Sequence, residues 1–210
     1  MADTEKKQEE LPDREKIREQ LTLLKPRAQR AAAMVFRIAS SGVNDLKADK
    51  ETAGKLKKSG ELIVWLELIA FIIYLFDRVA SSRMKDSRHM YMDLLMNSII
   101  STFPEEADKY GRKDLRSEQG WEQDVVGTVS ARSLQYFSLE QEVCGGTGSV
   151  ESLPPEGLFW EFGGIIAHQM GAPEDKAVTE VVSLRARSGL NEILRELGPG
   201  PEESVTQKPL

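Results

Sequence analysis

Apolar residues along this chain recur at intervals of three and four rather than in alternation, which predicts helices and no sheet. Ile17, Leu21 and Leu24 share one helical face, and Asp13 is placed to cap it behind Pro12. Pro26 has no amide proton, so it either kinks this helix or opens a second one. The apolar positions of that second stretch are Ala28, Ala31, Ala32, Val35, Phe36 and Ala39, and its end is expected at Ser40-Ser41-Gly42. Residues 43–60 are rich in Lys, Asp, Gly and Ser and read as a solvated connection, with room for a short helix over 49–57.

The densest apolar stretch spans residues 61–83, where Leu62, Val64, Trp65, Leu66, Leu68, Ile69, Ile72, Ile73, Leu75 and Phe76 cover nearly every azimuth of a helix. A helix that is apolar all round must be surrounded by others, so this one is expected at the centre of the fold. A turn at 84–86 leads to an amphipathic helix reaching Phe103, with Tyr91, Leu95 and Ile99 on one face. Pro104, Gly111 and Gly120 punctuate a polar stretch, and a helical pattern resumes over 121–140 through Val125, Val129, Leu134 and Phe137. Residues 143–157 are dominated by Gly, Ser and Pro and predict a flexible loop. A short apolar helix over 158–170 and a last one over 174–197 complete the pattern, with Gly198-Pro199-Gly200-Pro201 as the stop. The expected fold is therefore all-α, an irregular bundle of five to seven helices around a central apolar helix. Residues 13–198 form one domain, with polar tails over 1–12 and 199–210.

Charge changes this picture by exclusion. Lys and Arg number 28 against 34 Asp and Glu, a formal net charge of −6. Nucleic-acid binding by bulk electrostatics needs clustered positive charge, and Lys25, Arg27, Arg30 and Arg37 scatter over several faces without aromatic neighbours, so no nucleic-acid partner is expected. A bilayer span needs about 20 predominantly apolar residues, and the run over 62–76 is shorter and broken by Glu67, so no membrane span is expected. Cys144 is the single cysteine and can form no intramolecular disulfide. With no secretory or transit-peptide pattern at the first residues, a cytoplasmic setting is the expectation. A phosphate-cradling Gly-x-x-x-x-Gly-Lys-Ser/Thr run is absent from the sequence.

Four groups of residues are candidates for chemistry or binding. On the central helix, Glu67, Tyr74, Arg78 and Ser81 fall near one azimuth, with Asp77 adjacent. A lone buried carboxylate costs several kcal/mol, so Glu67 must be paired, protonated or on a cavity wall. Glu67, Tyr74, Asp77 and Arg78 therefore form either a ligand-binding stripe or a structural hydrogen-bond network. Asp86, His89 and Asp93 follow at spacings of three and four, which on one helix face suits a divalent cation; an exposed polar face explains the same residues without a metal. Cys144 beside Gly145-Gly146 is a conceivable thiol nucleophile, yet nothing in the sequence brings His168 or an oxyanion site to it. Gly163, Ala167 and Gly171 recur every four residues and leave a smooth strip for close helix approach, either within the chain or between subunits. Trp121 and Trp160 are large amphipathic rings of the kind that anchor interfaces.

Without an assignable catalytic constellation, the sequence leans away from an enzyme and names no cofactor. The first expectation is an interaction or assembly module acting on a protein partner or a second copy, through Trp121, Trp160 and the Gly163, Ala167, Gly171 strip. The alternative is a helical bundle that binds a small molecule or a divalent metal in a polar pocket against the central helix.

Overall fold

The computed structural model describes residues 14–144 and 157–198. They form six helices and no strand: α1 (Arg14–Ala48), α2 (Glu61–Arg83), α3 (Arg88–Asp108), α4 (Trp121–Cys144), α5 (Leu158–Gln169) and α6 (Lys176–Leu197). The expected tails, and all of the expected 143–157 loop except its two ends, lie outside the described residues.

α2 is the hub. Every residue from 67 to 76 is buried, and α2 touches all five other helices. Around it the neighbours close a ring in the order α1, α3, α4, α5, α6 and back to α1. The hydrophobic effect dictates this arrangement, since a helix apolar at nearly every azimuth leaves water only when enclosed on all sides. α3 and α4 make the slightest of the ring contacts.

Two aromatic columns run outward from the hub. One stacks Phe36 of α1, Trp65 of α2, Phe103 of α3 and Trp121 of α4, with successive centroids 5.9, 5.6 and 5.8 Å apart. In the other, Phe71 of α2 lies flat on Phe162 of α5 at 3.8 Å and meets the edge of Tyr136 of α4 at 5.0 Å. These contacts tie helices far apart in sequence to α2.

The N-terminal region departs from expectation. α1 is one 35-residue helix that contains Pro26 and passes through Ser40-Ser41-Gly42 without ending. Pro26 is exposed, so the carbonyl it deprives of a partner is left to water. Gly42 is a point of close approach rather than a stop: a Cβ there would stand 2.9 Å from Leu68 Cδ1 of α2. No helix forms over 49–57. Asp49 accepts from the backbone amides of Glu51 and Thr52 at 2.9 and 3.1 Å, and Thr52 donates to the Leu46 carbonyl at 2.7 Å, so side-chain bonds set a turn instead. α3 likewise runs past Pro104 to Asp108.

α5 and α6 form a tight pair. Ala172 and Gly171 donate to the carbonyls of Ala167 and His168, both at 2.9 Å, a paired C-terminal cap that needs the φ of +71° which Gly171 supplies. Asp175 then caps α6 by accepting from the amides of Ala177 and Val178. Lys55 lies 2.6 Å from the Asp175 carboxylate, and its hydrogen bond, ahead of those backbone amides, holds that carboxyl below its ordinary range.

Candidate functional site

Among the described residues, the polar stripe of α2 meets a second polar stripe. It faces α4, which runs parallel to α2 and presents Arg132, Tyr136 and Glu140 at spacings of four. Buried Glu67 accepts from the Tyr136 hydroxyl and pairs with Arg132 Nε at 3.0 Å. Buried Glu140 accepts from the Tyr74 hydroxyl and from Arg78 at 2.7 Å. Read in the same direction, α2 carries Glu, Tyr, Arg and α4 carries Arg, Tyr, Glu. Each carboxylate thus meets a cation and a phenol, and neither faces the other.

This complementarity resolves the cost of burying two carboxylates in the core. Burial pushes both phenols far above their ordinary range, and the adjoining carboxylates push them further. Neutral tyrosines that donate to charged acceptors are what the seam requires. Asp77 lies apart, held by Arg88 through two bonds of 2.8 and 2.6 Å. Glu67, Tyr74, Asp77 and Arg78 are therefore all engaged by other side chains of the chain, as the alternative of a structural hydrogen-bond network expects.

The stripe of α4 was not singled out from sequence, although a signal exists. Its apolar pattern is the poorest of the six helices, and Leu134 and Phe137, two of the positions that carry it, are 71% and 45% exposed. The buried positions are Trp121, Val129, Tyr136 and Glu140, because the surface that α4 meets on α2 is itself polar.

Asp86, His89 and Asp93 are not brought together. Asp86 sits in a single 3-10 turn ahead of α3, whereas the other two lie on α3, and all three are exposed. Among the described residues, no group of three or more His, Cys, Asp or Glu side chains stands where it could hold a metal ion.

Three of the five interface candidates are buried within the chain. Trp121 is 8% exposed and belongs to the aromatic column. Gly163 and Ala167 are buried, and a Cβ on Gly163 would stand 2.5 Å from the Thr179 carbonyl oxygen, so the smooth strip serves the crossing of α5 with α6. Gly171 is part of the cap. Trp160, 38% exposed, and Gly171 keep surface positions. His168 is exposed at the α4–α5 edge, near Arg132 and Gln135.

Among the described residues, an apolar cavity adjoins the hub. It lies between α2, the end of α3, the segment over 109–120 and the first half of α4, and measures about 200 Å³. Leu66, Ile69, Phe103, Leu115, Trp121 and Val129 form its apolar wall. Arg112, Glu118, Asp124 and Thr128 also line it; the last three are exposed and mark its mouth. Arg112 and Glu118 are ion-paired with each other. The position has a structural reason: α3 and α4 barely touch, and the gap between them is spanned by a chain segment rather than filled by a helix.

No family model, curated protein or solved structure matches the chain. Among the described residues, no helix is long and apolar enough to cross a membrane.

Proposed function

We propose that the protein is a small-molecule-binding helical bundle whose site is the cavity between α2, α3 and α4. The observation that carries this reading is an unfilled apolar space of about 200 Å³ opening onto solvent through a polar mouth. Protein interiors are otherwise packed to crystal density, and a void of about 150 Å³ lined by Leu, Ile and Phe is already enough to hold a benzene ring. Apolar walls supply affinity by removing ligand surface from water, while a few polar groups at the rim orient what enters. The polar seam between α2 and α4 supports the same reading, because it fixes the second half of α4 while the cavity lies along the first.

Titration with benzyl alcohol, followed through the indole N–H resonance of Trp121 in a nitrogen–proton correlation spectrum, tests the proposal. A saturable shift of the Trp121 signal with the Trp160 signal unmoved supports it. No shift up to the solubility of the alcohol, or equal shifts at both indoles, overturns it.

A protein partner is the second reading, favoured by α4. This helix exposes Val126, Leu134 and Phe137 on a side that does not contribute to the core. Loss of self-association or partner capture in a Leu134→Ser, Phe137→Ser variant that keeps its helicity would favour this surface.

A further inference from the structure

Resting on the cavity reading, we infer that the ligand class is a small primary amine: one ring or a branched apolar body carrying an ammonium group, with Asp124 as the counter-charge at the mouth. The charges that line the cavity are Arg112, Glu118 and Asp124, one positive against two negative. Arg112 and Glu118 neutralise each other. The Asp124 side chain has no hydrogen bond or ion pair with any described residue. It lies one helical turn before Thr128, so a carboxylate and a hydroxyl stand together on the face of α4 that also brings Trp121, Val125 and Val129 to the cavity.

The chemistry of this set discriminates. An anionic ligand would meet the unpaired carboxylate at close range and would have to break the Arg112–Glu118 pair to reach a cation. A neutral ligand gains the apolar wall alone. An ammonium gains the wall and also the carboxylate, with the Trp121 ring able to add a cation–π contribution.

Asp124 has a competing account, because acidic residues in the first turn of a helix are stabilised by its macrodipole. Glu122 occupies the same turn, is exposed and does not line the cavity, so it separates the two roles. The experiment compares benzylammonium, benzyl alcohol and benzoate, three probes of one size, by the Trp121 indole shift in the wild-type chain and in the Asp124→Asn and Glu122→Gln variants. The expected result is benzylammonium tighter than benzyl alcohol by about fivefold, the scale of one solvent-facing ion pair. Benzoate should be the weakest. The preference should vanish in Asp124→Asn and persist in Glu122→Gln. If benzyl alcohol or benzoate binds as tightly as benzylammonium, or if the preference survives Asp124→Asn, the amine inference falls while the cavity reading stands on the alcohol shift. If none of the three probes moves the Trp121 resonance, both fall.

Discussion

Tyr74 and Tyr136 face each other across the seam between α2 and α4, their ring centroids 5.6 Å apart, and each donates its hydroxyl to the carboxylate carried by the other's helix. The crossing pattern fixes register. A slip of one turn would bring the Glu67 or Glu140 carboxylate away from its arginine and strand it in the core. A seam that relied on apolar contact alone would tolerate such a slip at much lower cost.

The tyrosines give a three-way comparison. Tyr74→Phe and Tyr136→Phe each remove a hydrogen bond to a buried carboxylate and are expected to destabilise the fold by about 1.5–3 kcal/mol. Tyr91 is also fully buried, but its hydroxyl has no hydrogen-bond partner among the described residues. Tyr91→Phe is therefore expected to be neutral or to stabilise by up to about 1 kcal/mol, since it removes an unsatisfied polar atom and keeps the ring. Urea unfolding of the three variants, with unchanged m-values, checks the ordering. Equal losses at all three positions would mean that the seam bonds carry no special weight.

Alkaline pH probes the same groups. Burial raises Tyr74, Tyr91, Tyr110 and Tyr136 above the ordinary tyrosine value, first through desolvation and, for Tyr74 and Tyr136, also through Glu140 and Glu67. These are all the tyrosines of the chain. The folded state thus keeps protons that the unfolded chain gives up near pH 10, so the stabilisation is complete below that pH and is lost as pH rises further. Each strongly raised tyrosine contributes a slope of about 1.4 kcal/mol per pH unit. Absorbance at 295 nm should show at most one phenolate, that of half-buried Tyr110, while helical circular dichroism is native, and the other three should ionise together with loss of the helices above pH 10. More than one phenolate appearing at the ordinary pH with the helices intact would contradict the burial of Tyr74, Tyr91 and Tyr136.

Much of this architecture was legible in the sequence because the hydrophobic effect acts through periodicity. The all-round apolar run at 61–83 announced the hub, and Glu67 within it announced a carboxylate that must be paired, protonated or on a cavity wall. What the sequence withheld was the partner. Arg132, Tyr136 and Glu140 look like any exposed helical stripe until α4 is laid beside α2, and only then does the opposed order of charges mean anything. Small residues were ambiguous for the same reason. Gly42 and Gly163 permit close approach in the middle of helices, whereas Gly171 supplies a backbone conformation at a helix end, and composition alone does not separate the two uses. The cavity had no signature at all, because a void is set by how helices stand off from one another rather than by any residue.

Adjacent glycines in α5 test that distinction. Gly163→Ala would place a Cβ 2.5 Å from the Thr179 carbonyl oxygen and 2.9 Å from its Cα, both backbone atoms that cannot rotate away. The α5–α6 pair must separate, at a cost expected near 1–3 kcal/mol. At Gly164 a Cβ meets nothing within 4 Å, so Gly164→Ala should stabilise by about 1 kcal/mol through helix propensity. Thermal unfolding of the two variants should move in opposite directions. A shift of the same sign in both would show that the crossing is looser than its geometry.

The cavity makes a prediction that needs no ligand. Val129 lines it and Val35 is fully buried in filled core, so the same enlargement, Val→Leu, meets different surroundings at the two positions. At Val35 the added methylene has no room, and overpacking should cost about 1–3 kcal/mol. At Val129 it enters existing space and gains dispersion contacts and apolar burial, for an expected stabilisation of about 0.5–1 kcal/mol. The gain and any ligand draw on one volume, so Val129→Leu should also weaken binding of benzyl alcohol, whereas Val35→Leu should leave it unchanged as long as the chain is folded. Denaturant unfolding and the Trp121 resonance, measured on the same two variants, read these effects independently. A loss at Val129 as large as that at Val35 would mean that no usable space lies between α2 and α4, and the ligand-binding reading would have nothing left to bind into.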